Sequence, residues 1–298
     1  MHLVEQGKID VDAPLTTYLP DFTMADPRYT AITIRHLLAD ISGMPDWDES
    51  GWDYSRRATS AEALHEAIRS LATYELTGDP GEAAYLYSNA GFDILGDAVA
   101  RVAGQPFEEY VQEQFLDPLG MTSSSFLMSD VDPVALTTLH WKDDAGNVVA
   151  GEEFVDYDQV HTPSGGLISN VQDMSQWMLF NLNRGELDGQ RLLSPASYDA
   201  MWIGETDADW GIGGMFQDWG MGMGAGRAGR PSFRLVGWPD GRRHQYHDLA
   251  PDDSHGCGRG DQCQPGASYD TPWYAVDLAT ELTHERLASR QSLKLTMF

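Results

Sequence analysis

The segment Tyr87-Ser88-Asn89 places a phenol and a carboxamide on either side of a serine. In an extended backbone, residues two apart point to the same side, so Tyr87 and Asn89 can act together. A phenol can take up and release a proton, and a carboxamide both donates and accepts hydrogen bonds. Such a pair suits acid–base chemistry on a bound substrate. In the alternative interpretation, Ser88 or Asn89 simply caps the helix that follows and that ends at Gly104.

Local signals predict the elements around this motif. Thr33 is expected to cap a short helix over residues 34–39, and alternation around residues 144–147 predicts a hairpin. The capping box Ser169-Asn170-Val171-Gln172 predicts the start of a longer helix, and Ser164-Gly165-Gly166 is expected to form a tight turn. The helix after Asn89 is expected to bury one apolar face, formed by Phe92, Leu95, Val99 and Val102.

The composition narrows the choice of function. The chain has 298 residues and a formal charge of −27, with 46 acidic and 19 basic residues. This length suits one large domain or two smaller ones. Nucleic acid is not an expected partner, because so acidic a surface repels phosphates. Acid excess with so little lysine suits a protein kept soluble in high salt, so a halophilic source is a hypothesis. No signal or transmembrane segment is recognised in the sequence, and localisation and oligomeric state stay open.

Five short motifs follow one another along the first three quarters of the chain. They are Gln6-Gly7-Lys8-Ile9-Asp10, residues 32–38 with Ser42-Gly43-Met44-Pro45, Pro80-Gly81 with Tyr87-Ser88-Asn89, Asp117-Pro118-Leu119-Gly120-Met121, and Ser164-Gly165-Gly166-Leu167. Each motif is weak alone, but five in one order are specific. Together they resemble the serine β-lactamase-related family, which includes class C β-lactamases, DD-peptidases and related esterases.

The resemblance implies an α/β (α+β) fold of the β-lactamase/transpeptidase type, with an antiparallel sheet flanked by helices and a mostly helical region. It implies acyl-enzyme hydrolysis of a small-molecule acyl substrate (a β-lactam, a D-alanyl peptide or an ester) without a cofactor or metal. Carried over, Tyr87 would be the acid–base catalyst and Asn89 would bind the substrate. Ser88 would also belong to the substrate-binding residues and would support the proton network. The segment facing the substrate cleft would be formed by Ser164, Gly165 and Gly166.

The sequence departs from this family at the nucleophile. In the family, a Ser-x-x-Lys motif lies just before the segment that matches Gln6-Gly7-Lys8. None of the three lysines, Lys8, Lys142 and Lys294, has a serine three positions earlier. We therefore expect these 298 residues to lack the nucleophile, to form an incomplete sheet and to be inactive on their own. The alternative is a non-catalytic remnant or a ligand-binding relative of the fold.

The end of the chain also departs from the family. Residues 1–226 are expected to form the β-lactamase-related domain, and residues 227–298 an atypical tail. Between Ala228 and Asp270 there is no Ile, Met, Thr, Asn, Lys or Glu. Codons for the first five of these residues begin with A. Their absence suits a GC-rich gene that is read out of frame, so our hypothesis is a frameshift near Gly226.

Other candidate side chains are weaker. Cys257 and Cys263 lie near three histidines, but a Cys-x5-Cys spacing fits no standard zinc site, so no metal is expected. His140 and His161 are isolated in the sequence. Each is expected to be a structural or surface residue rather than a catalytic base, although His161 lies just before Ser164-Gly165-Gly166.

Overall fold

The computed structural model describes residues 1–48, 62–137, 140–142, 146–150, 161–210, 216–226 and 230–231. The chain divides into one unit over Met1–Gly229 and a second over Arg230–Phe298. The assignment of the tail to out-of-frame sequence stays a prediction.

The described part of the first unit is rich in helices. The α-helices are α1 (His2–Glu5), α2 (Ile34–Leu38), α3 (Glu62–Ser70), α4 (Asn89–Ala103), α5 (Phe107–Val111), α6 (Thr162–Gly165), α7 (Val171–Leu182) and α8 (Pro195–Met201). A π-helical turn, Gln112–Leu116, continues α5. Short 3₁₀ turns lie at Leu15–Thr17, Pro27–Ala31, Leu71–Thr73, Met128–Asp130 and Pro133–Ala135. Across the described ranges, no helix is both long and apolar enough to cross a membrane.

The strands of the described residues are short. They are β1 (His140–Lys142), β2 (Val148–Ala150), β3 (Glu186–Leu187), β4 (Gln190–Arg191), β5 (Thr206–Trp210), β6 (Phe216–Trp219), β7 (Gly224–Gly226) and, in the second unit, β8 (Arg230–Pro231). The predicted hairpin is confirmed, because β1 pairs antiparallel with β2 and His140 lies opposite Ala150. β5, β6 and β7 form a further antiparallel arrangement in which β6 is central. Many helices with a small antiparallel sheet confirm the predicted α+β class.

Helix α4 is the central element of the larger hydrophobic core. It contacts α2, α3, α5 and α6. The core around it includes Leu15, Ile32, Leu37, Met44, Ile68, Leu71 and Ile94. A smaller core, which includes Phe180 of α7, is completed by Leu116, Leu119, Met121, Leu187 and Leu193.

The buried face of α4 differs from the one that apolar periodicity predicts. Phe92, Leu95, Val99 and Val102 are only half-buried. The fully buried positions are Ala90, Gly91, Asp93, Ile94, Gly96, Asp97 and Ala98. Two aspartates can occupy this face because each pairs with a histidine from another segment. A buried carboxylate is tolerated when it is paired and hydrogen-bonded.

Both ends of α4 have the residues that helix ends need. Ser88 is the N-cap, since its Oγ accepts a hydrogen bond of 3.0 Å from the amide of Gly91. Gly104 ends the helix in the left-handed region, with φ of 75°. Such a φ is open to glycine without strain. The capping interpretation is therefore correct for Ser88, and the predicted stop at Gly104 is confirmed.

The predicted start of α7 is displaced by one residue. Asn170, not Ser169, is the N-cap, and its Oδ1 accepts a hydrogen bond of 2.9 Å from the amide of Asp173. Ser169 does not cap because its hydroxyl lies 2.7 Å from the Ser124 hydroxyl, which itself donates to Asp173. A contact distant in sequence thus decides which of two adjacent capping residues is used.

Helix α2 begins with a reciprocal cap. Thr33 Oγ1 accepts from the amide of His36 at 3.2 Å, and His36 Nδ1 accepts from the amide of Thr33 at 3.3 Å. The predicted cap at Thr33 is confirmed, and Ala39 follows the helix as its C-cap. Burial lowers the pKa of His36 below its ordinary value of 6.5. The neutral ring is also the form that can accept the Thr33 N–H.

We expect His36 to make the free energy of unfolding depend on pH. The unfolded chain binds a proton at this residue near pH 6.5, whereas the folded chain binds it only at lower pH. The free energy of unfolding should therefore carry no penalty from His36 above pH 6.5, and it should fall as the pH drops below that value. A His36→Gln variant keeps an acceptor for the cap and should flatten this decline. Urea unfolding midpoints at several pH values between about 7.5 and 5 measure the difference.

His2, whose pKa is also lowered by burial, remains in both proteins, so the slope that differs between them belongs to His36. An equally steep decline in the two proteins contradicts the expectation.

Candidate active site

Tyr87 and Asn89 lie side by side at the start of α4. The Tyr87 hydroxyl donates a hydrogen bond of 3.0 Å to Asn89 Oδ1. Ser88 between them is extended, with φ of −144° and ψ of 109°, so both neighbours point the same way. The juxtaposition that the sequence predicts is therefore present, and the phenol is the donor in it.

Asp46 anchors this pair, and the sequence reading missed it. Its Oδ1 accepts from the amides of Trp47 (2.9 Å), Asn89 (3.0 Å) and Ala90 (3.2 Å). Its Oδ2 accepts from the Asn89 carboxamide nitrogen at 2.8 Å. A carboxylate is stabilised at this place because the N-terminus of a helix presents unpaired N–H groups and a positive dipole. The position of Asp46 directly after Ser42-Gly43-Met44-Pro45 was the available signal.

This anchoring fixes which way the Asn89 carboxamide faces. Its nitrogen faces Asp46 and its oxygen faces Tyr87. A carboxamide has two N–H donors and two acceptor positions. The described contacts use one of each, so the second N–H can be offered to a substrate carbonyl.

Ser88 is buried and its hydroxyl serves the backbone. Oγ donates to the carbonyl of Pro45 at 3.0 Å and accepts from the Gly91 amide. Its own amide donates to Asp40 Oδ1 at 3.3 Å. These contacts tie the start of α4 to the segment that ends at Asp46. A direct role for Ser88 in substrate binding stays a prediction.

The segment Ser164-Gly165-Gly166 is helical rather than a tight turn, so that prediction is wrong. Ser164 and Gly165 belong to α6, and Gly166 is its C-cap. Pro163 favours helical φ near the start of α6, and the Gly166 amide donates to the Thr162 carbonyl at 3.0 Å, one helical turn back. A Cβ on Gly166 would lie 2.7 Å from Thr162 Cα, so this contact requires glycine.

Asp93, one turn after Asn89, connects α4 to α6. Its side chain is fully buried and accepts from three segments: Trp47 Nε1 at 2.8 Å, His161 Nδ1 at 3.0 Å and the Ser164 amide at 3.1 Å. Burial raises the pKa of Asp93, and the three donors oppose that shift. No local pattern of the sequence marks this carboxylate, because it lies among apolar positions of α4.

His161 is buried against Trp47. The two rings meet edge to face, with centroids 5.6 Å apart. The Ser164 hydroxyl donates to the His161 carbonyl at 3.1 Å. The expectation that His161 is structural agrees with these contacts, but it is not a surface residue.

The remaining candidate residues from the sequence are not observed at the Tyr87–Asn89 site. His140 lies in β1 and is exposed. Cys257 and Cys263 lie outside the described residues, as do the histidines near them. Within the described residues, no three His, Cys, Asp or Glu side chains are grouped as a metal site would need.

The family of the chain follows from a match to a family model. The model described as "Beta-lactamase" matches residues 1–250. The chain therefore belongs to the β-lactamase family, and its architecture is the β-lactamase/transpeptidase-like fold. The resemblance that the five motifs indicate is confirmed.

One curated relative and two solved structures illustrate what this chain is similar to. Beta-lactamase-like protein 2 of Dictyostelium discoideum is 31% identical over 191 residues, which cover 61% of this chain and 33% of that protein. An octameric penicillin-binding protein homologue from Pyrococcus abyssi superposes with a TM-score of 0.60 at 24% identity, over 75% of this chain and 49% of that one. EstCE1, a hydrolase with promiscuous acyltransferase activity, superposes with a TM-score of 0.56 at 25% identity, over 74% and 64%. This chain thus spans one third of the Dictyostelium protein and half of the Pyrococcus one.

Proposed function

We propose that this chain is part of a serine hydrolase that opens a β-lactam, a D-alanyl peptide or an ester through an acyl-enzyme. The observation that most directly supports this proposal is the Tyr87–Asn89 pair, which is hydrogen-bonded to Asp46 at the N-terminus of α4 in a chain of the β-lactamase family. EstCE1, a hydrolase with promiscuous acyltransferase activity, is an example of acyl transfer on a similar fold. Neither cofactor nor metal is needed for such a reaction.

Each residue has a role in the proposed reaction. As the phenolate, the form that the nearby ammonium of the Ser-x-x-Lys lysine would favour, Tyr87 takes the proton from the attacking hydroxyl and returns it to the leaving group. Asn89 offers its second carboxamide N–H to the substrate carbonyl. Ser164, Gly165 and Gly166 line the substrate cleft opposite the Tyr87–Asn89 pair. Ser88 lies between Tyr87 and Asn89 and holds both side chains on one side of an extended backbone. The nucleophile would come from a Ser-x-x-Lys motif, which these 298 residues do not contain.

Covalent probes test whether these 298 residues react by themselves. We expect neither a fluorescent penicillin nor a fluorophosphonate to label the chain, because a hydroxyl without a neighbouring base is a poor nucleophile. An active class C β-lactamase treated in parallel is the positive control. Labelling of the purified chain contradicts the expectation, and the labelled peptide then identifies the nucleophile.

The gene itself separates the hydrolase from the alternative, a non-catalytic or ligand-binding relative. If codons upstream of Met1 add an in-frame Ser-x-x-Lys, the extended protein should label, and Tyr87→Phe should slow labelling about 100-fold or more. An extended protein that carries the motif and does not label would favour the non-catalytic relative. Resequencing across Gly226 tests the frameshift: a confirmed, uninterrupted frame removes that hypothesis.

We also propose that the charge of −27 adapts the protein to high salt. Repulsion between surface carboxylates is screened as salt rises. Solubility and unfolding midpoints should therefore increase from dilute to molar KCl. Indifference of both quantities to salt contradicts a halophilic character.

A further inference from the structure

We propose that Asp93 is a positioning residue that locks the Tyr87–Asn89 pair and the Ser164–Gly166 segment into one fixed arrangement. The inference deepens the proposed function and rests on it, since it assigns to a buried carboxylate the task of joining two walls of one substrate site. Asp93 itself touches no substrate in this arrangement.

The contacts of Asp93 connect three separate segments. One carboxylate oxygen receives both the Trp47 indole N–H and His161 Nδ1, and the other receives the backbone amide of Ser164. The donors lie 46, 68 and 71 residues away in sequence. Removal of the carboxylate would leave buried donors without their partner, and such groups are costly. Ser164 of α6 would then lose its backbone hydrogen bond to α4.

Trp47 carries the connection from Asp93 to Asn89. Its indole N–H binds Asp93, and its backbone N–H binds Asp46 Oδ1. Asp46 in turn accepts from both the amide and the carboxamide of Asn89. A path of hydrogen bonds, joined through the covalent bonds of Trp47, therefore runs from Ser164 to the Tyr87–Asn89 pair. Residues 89 and 93 also lie one turn apart on α4, so a second, covalent path reinforces it.

Close packing brings α6 within reach of Asp93. The ring of Pro163 occupies the place where a side chain at Gly96 would be, since a Cβ there would lie 2.1 Å from Pro163 Cγ. This approach lets the Ser164 amide reach the carboxylate directly. On the far side, the Thr162 hydroxyl donates to the carboxylate of Glu108, so α6 is held to both α4 and α5.

Helix α4 offers a matched control in Asp97. This aspartate is also buried and lies one turn further along the helix, with His65 Nδ1 2.9 Å from its carboxylate. Its partner lies on α3, and His65 contacts Asp21 on its other side. None of these groups belongs to the candidate site. The two aspartates are thus both buried and both paired with a histidine. They differ in the segments that they contact, since Asp93 contacts the candidate site and Asp97 contacts α3.

The experiment compares Asp93→Asn with Asp97→Asn by NMR in protein labelled with ¹⁵N-asparagine, ¹⁵N-tryptophan and ¹⁵N-serine. The unsubstituted sequence has five asparagines, so the Asn89 carboxamide is one of five signals, and loss of that signal in Asn89→Asp assigns it. Each of the two variants adds a sixth carboxamide signal, which is recognised because the unsubstituted protein lacks it. In Asp93→Asn we expect the Asn89 carboxamide and Trp47 indole signals to shift. Hydrogen exchange of the Ser164 amide should accelerate about tenfold or more.

In Asp97→Asn the same three signals should stay in place, although its melting temperature falls. A merely structural role of Asp93 would lower the melting temperature without selectively moving the Asn89 carboxamide. Unmoved Asn89 signals in Asp93→Asn, or equal shifts in the two variants, overturn the proposal.

A milder variant keeps the test decisive if Asp93→Asn does not fold. Trp47→Phe removes the indole donor but keeps an aromatic ring and the backbone N–H to Asp46. We expect it to shift the Asn89 carboxamide while the chain stays folded, and an unchanged signal counts against the proposal. These signals require no turnover, so a failed labelling experiment leaves them interpretable. Conversely, successful labelling of the extended protein would stand even if Asp93 proved unimportant.

Discussion

A Gly96→Ala variant should lose about 3 kcal/mol of unfolding free energy, at the upper end of what overpacking a core costs. The added methyl carbon would lie 2.1 Å from Pro163 Cγ and 2.4 Å from Pro163 Cβ. A proline ring cannot rotate away, so α6 must shift relative to α4. That shift would also lengthen the hydrogen bond between the Ser164 amide and Asp93. Urea unfolding, followed by circular dichroism, measures the loss.

The same helix provides the control for this prediction. A Cβ at Gly91 would meet Ser88 Oγ at 3.5 Å and Leu37 Cδ2 at 3.6 Å, which are ordinary contacts. Gly91→Ala should therefore be neutral, or more stable by up to about 1 kcal/mol, because alanine favours helix. Equal destabilisation by the two substitutions would show that α4 tolerates no methyl group anywhere, and the specific clash with Pro163 would be refuted.

Features set by a few adjacent residues could be predicted from the sequence. Thr33 and Ser88 cap their helices because a side-chain oxygen near a helix start meets unpaired N–H groups whatever lies further away. Gly104 stops α4 for an equally local reason, its left-handed φ. The antiparallel pairing of β1 with β2 likewise follows the local alternation of the sequence. The closeness of Tyr87 and Asn89 follows from an extended Ser88 between them.

Features set by contacts distant in sequence could not be predicted. Apolar periodicity selected the wrong face of α4, because Asp93 and Asp97 look solvent-exposed until His161 and His65 are known to pair with them. Asp46 receives the N–H groups of a helix that begins 43 residues later. Local composition carries no sign of such partners. The family resemblance supplied the motif and its chemistry, but not the side chains that hold it.

The Ser164-Gly165-Gly166 segment shows why a motif does not determine its own backbone. Two consecutive glycines usually indicate a turn. Here Pro163 begins a helical turn, and the close contact of Gly166 with Thr162 completes it. The glycine at 166 is needed for space rather than for a left-handed φ. Glycine at this position therefore has a different physical reason from the one that the sequence indicates.

Asp46→Ala should destabilise the protein by about 2–4 kcal/mol and release the Asn89 carboxamide. The carboxylate accepts three backbone amides and one carboxamide N–H, and it faces the positive end of the dipole of α4. Without it, Ser88 alone would cap the helix. Urea unfolding measures the loss of stability, and exchange of the Asn89 carboxamide protons measures its release.

Asp46→Asn separates the two tasks of this carboxylate. Its remaining oxygen can still accept the amides of Asn89 and Ala90, but its NH₂ group would face the NH₂ group of Asn89, where no hydrogen bond can form. We therefore expect roughly half the loss of stability seen in Asp46→Ala, with equal release of the carboxamide. If Asp46→Asn instead keeps the Asn89 carboxamide protected, Tyr87 rather than Asp46 orients it, and the Tyr87–Asn89 pair holds its own geometry.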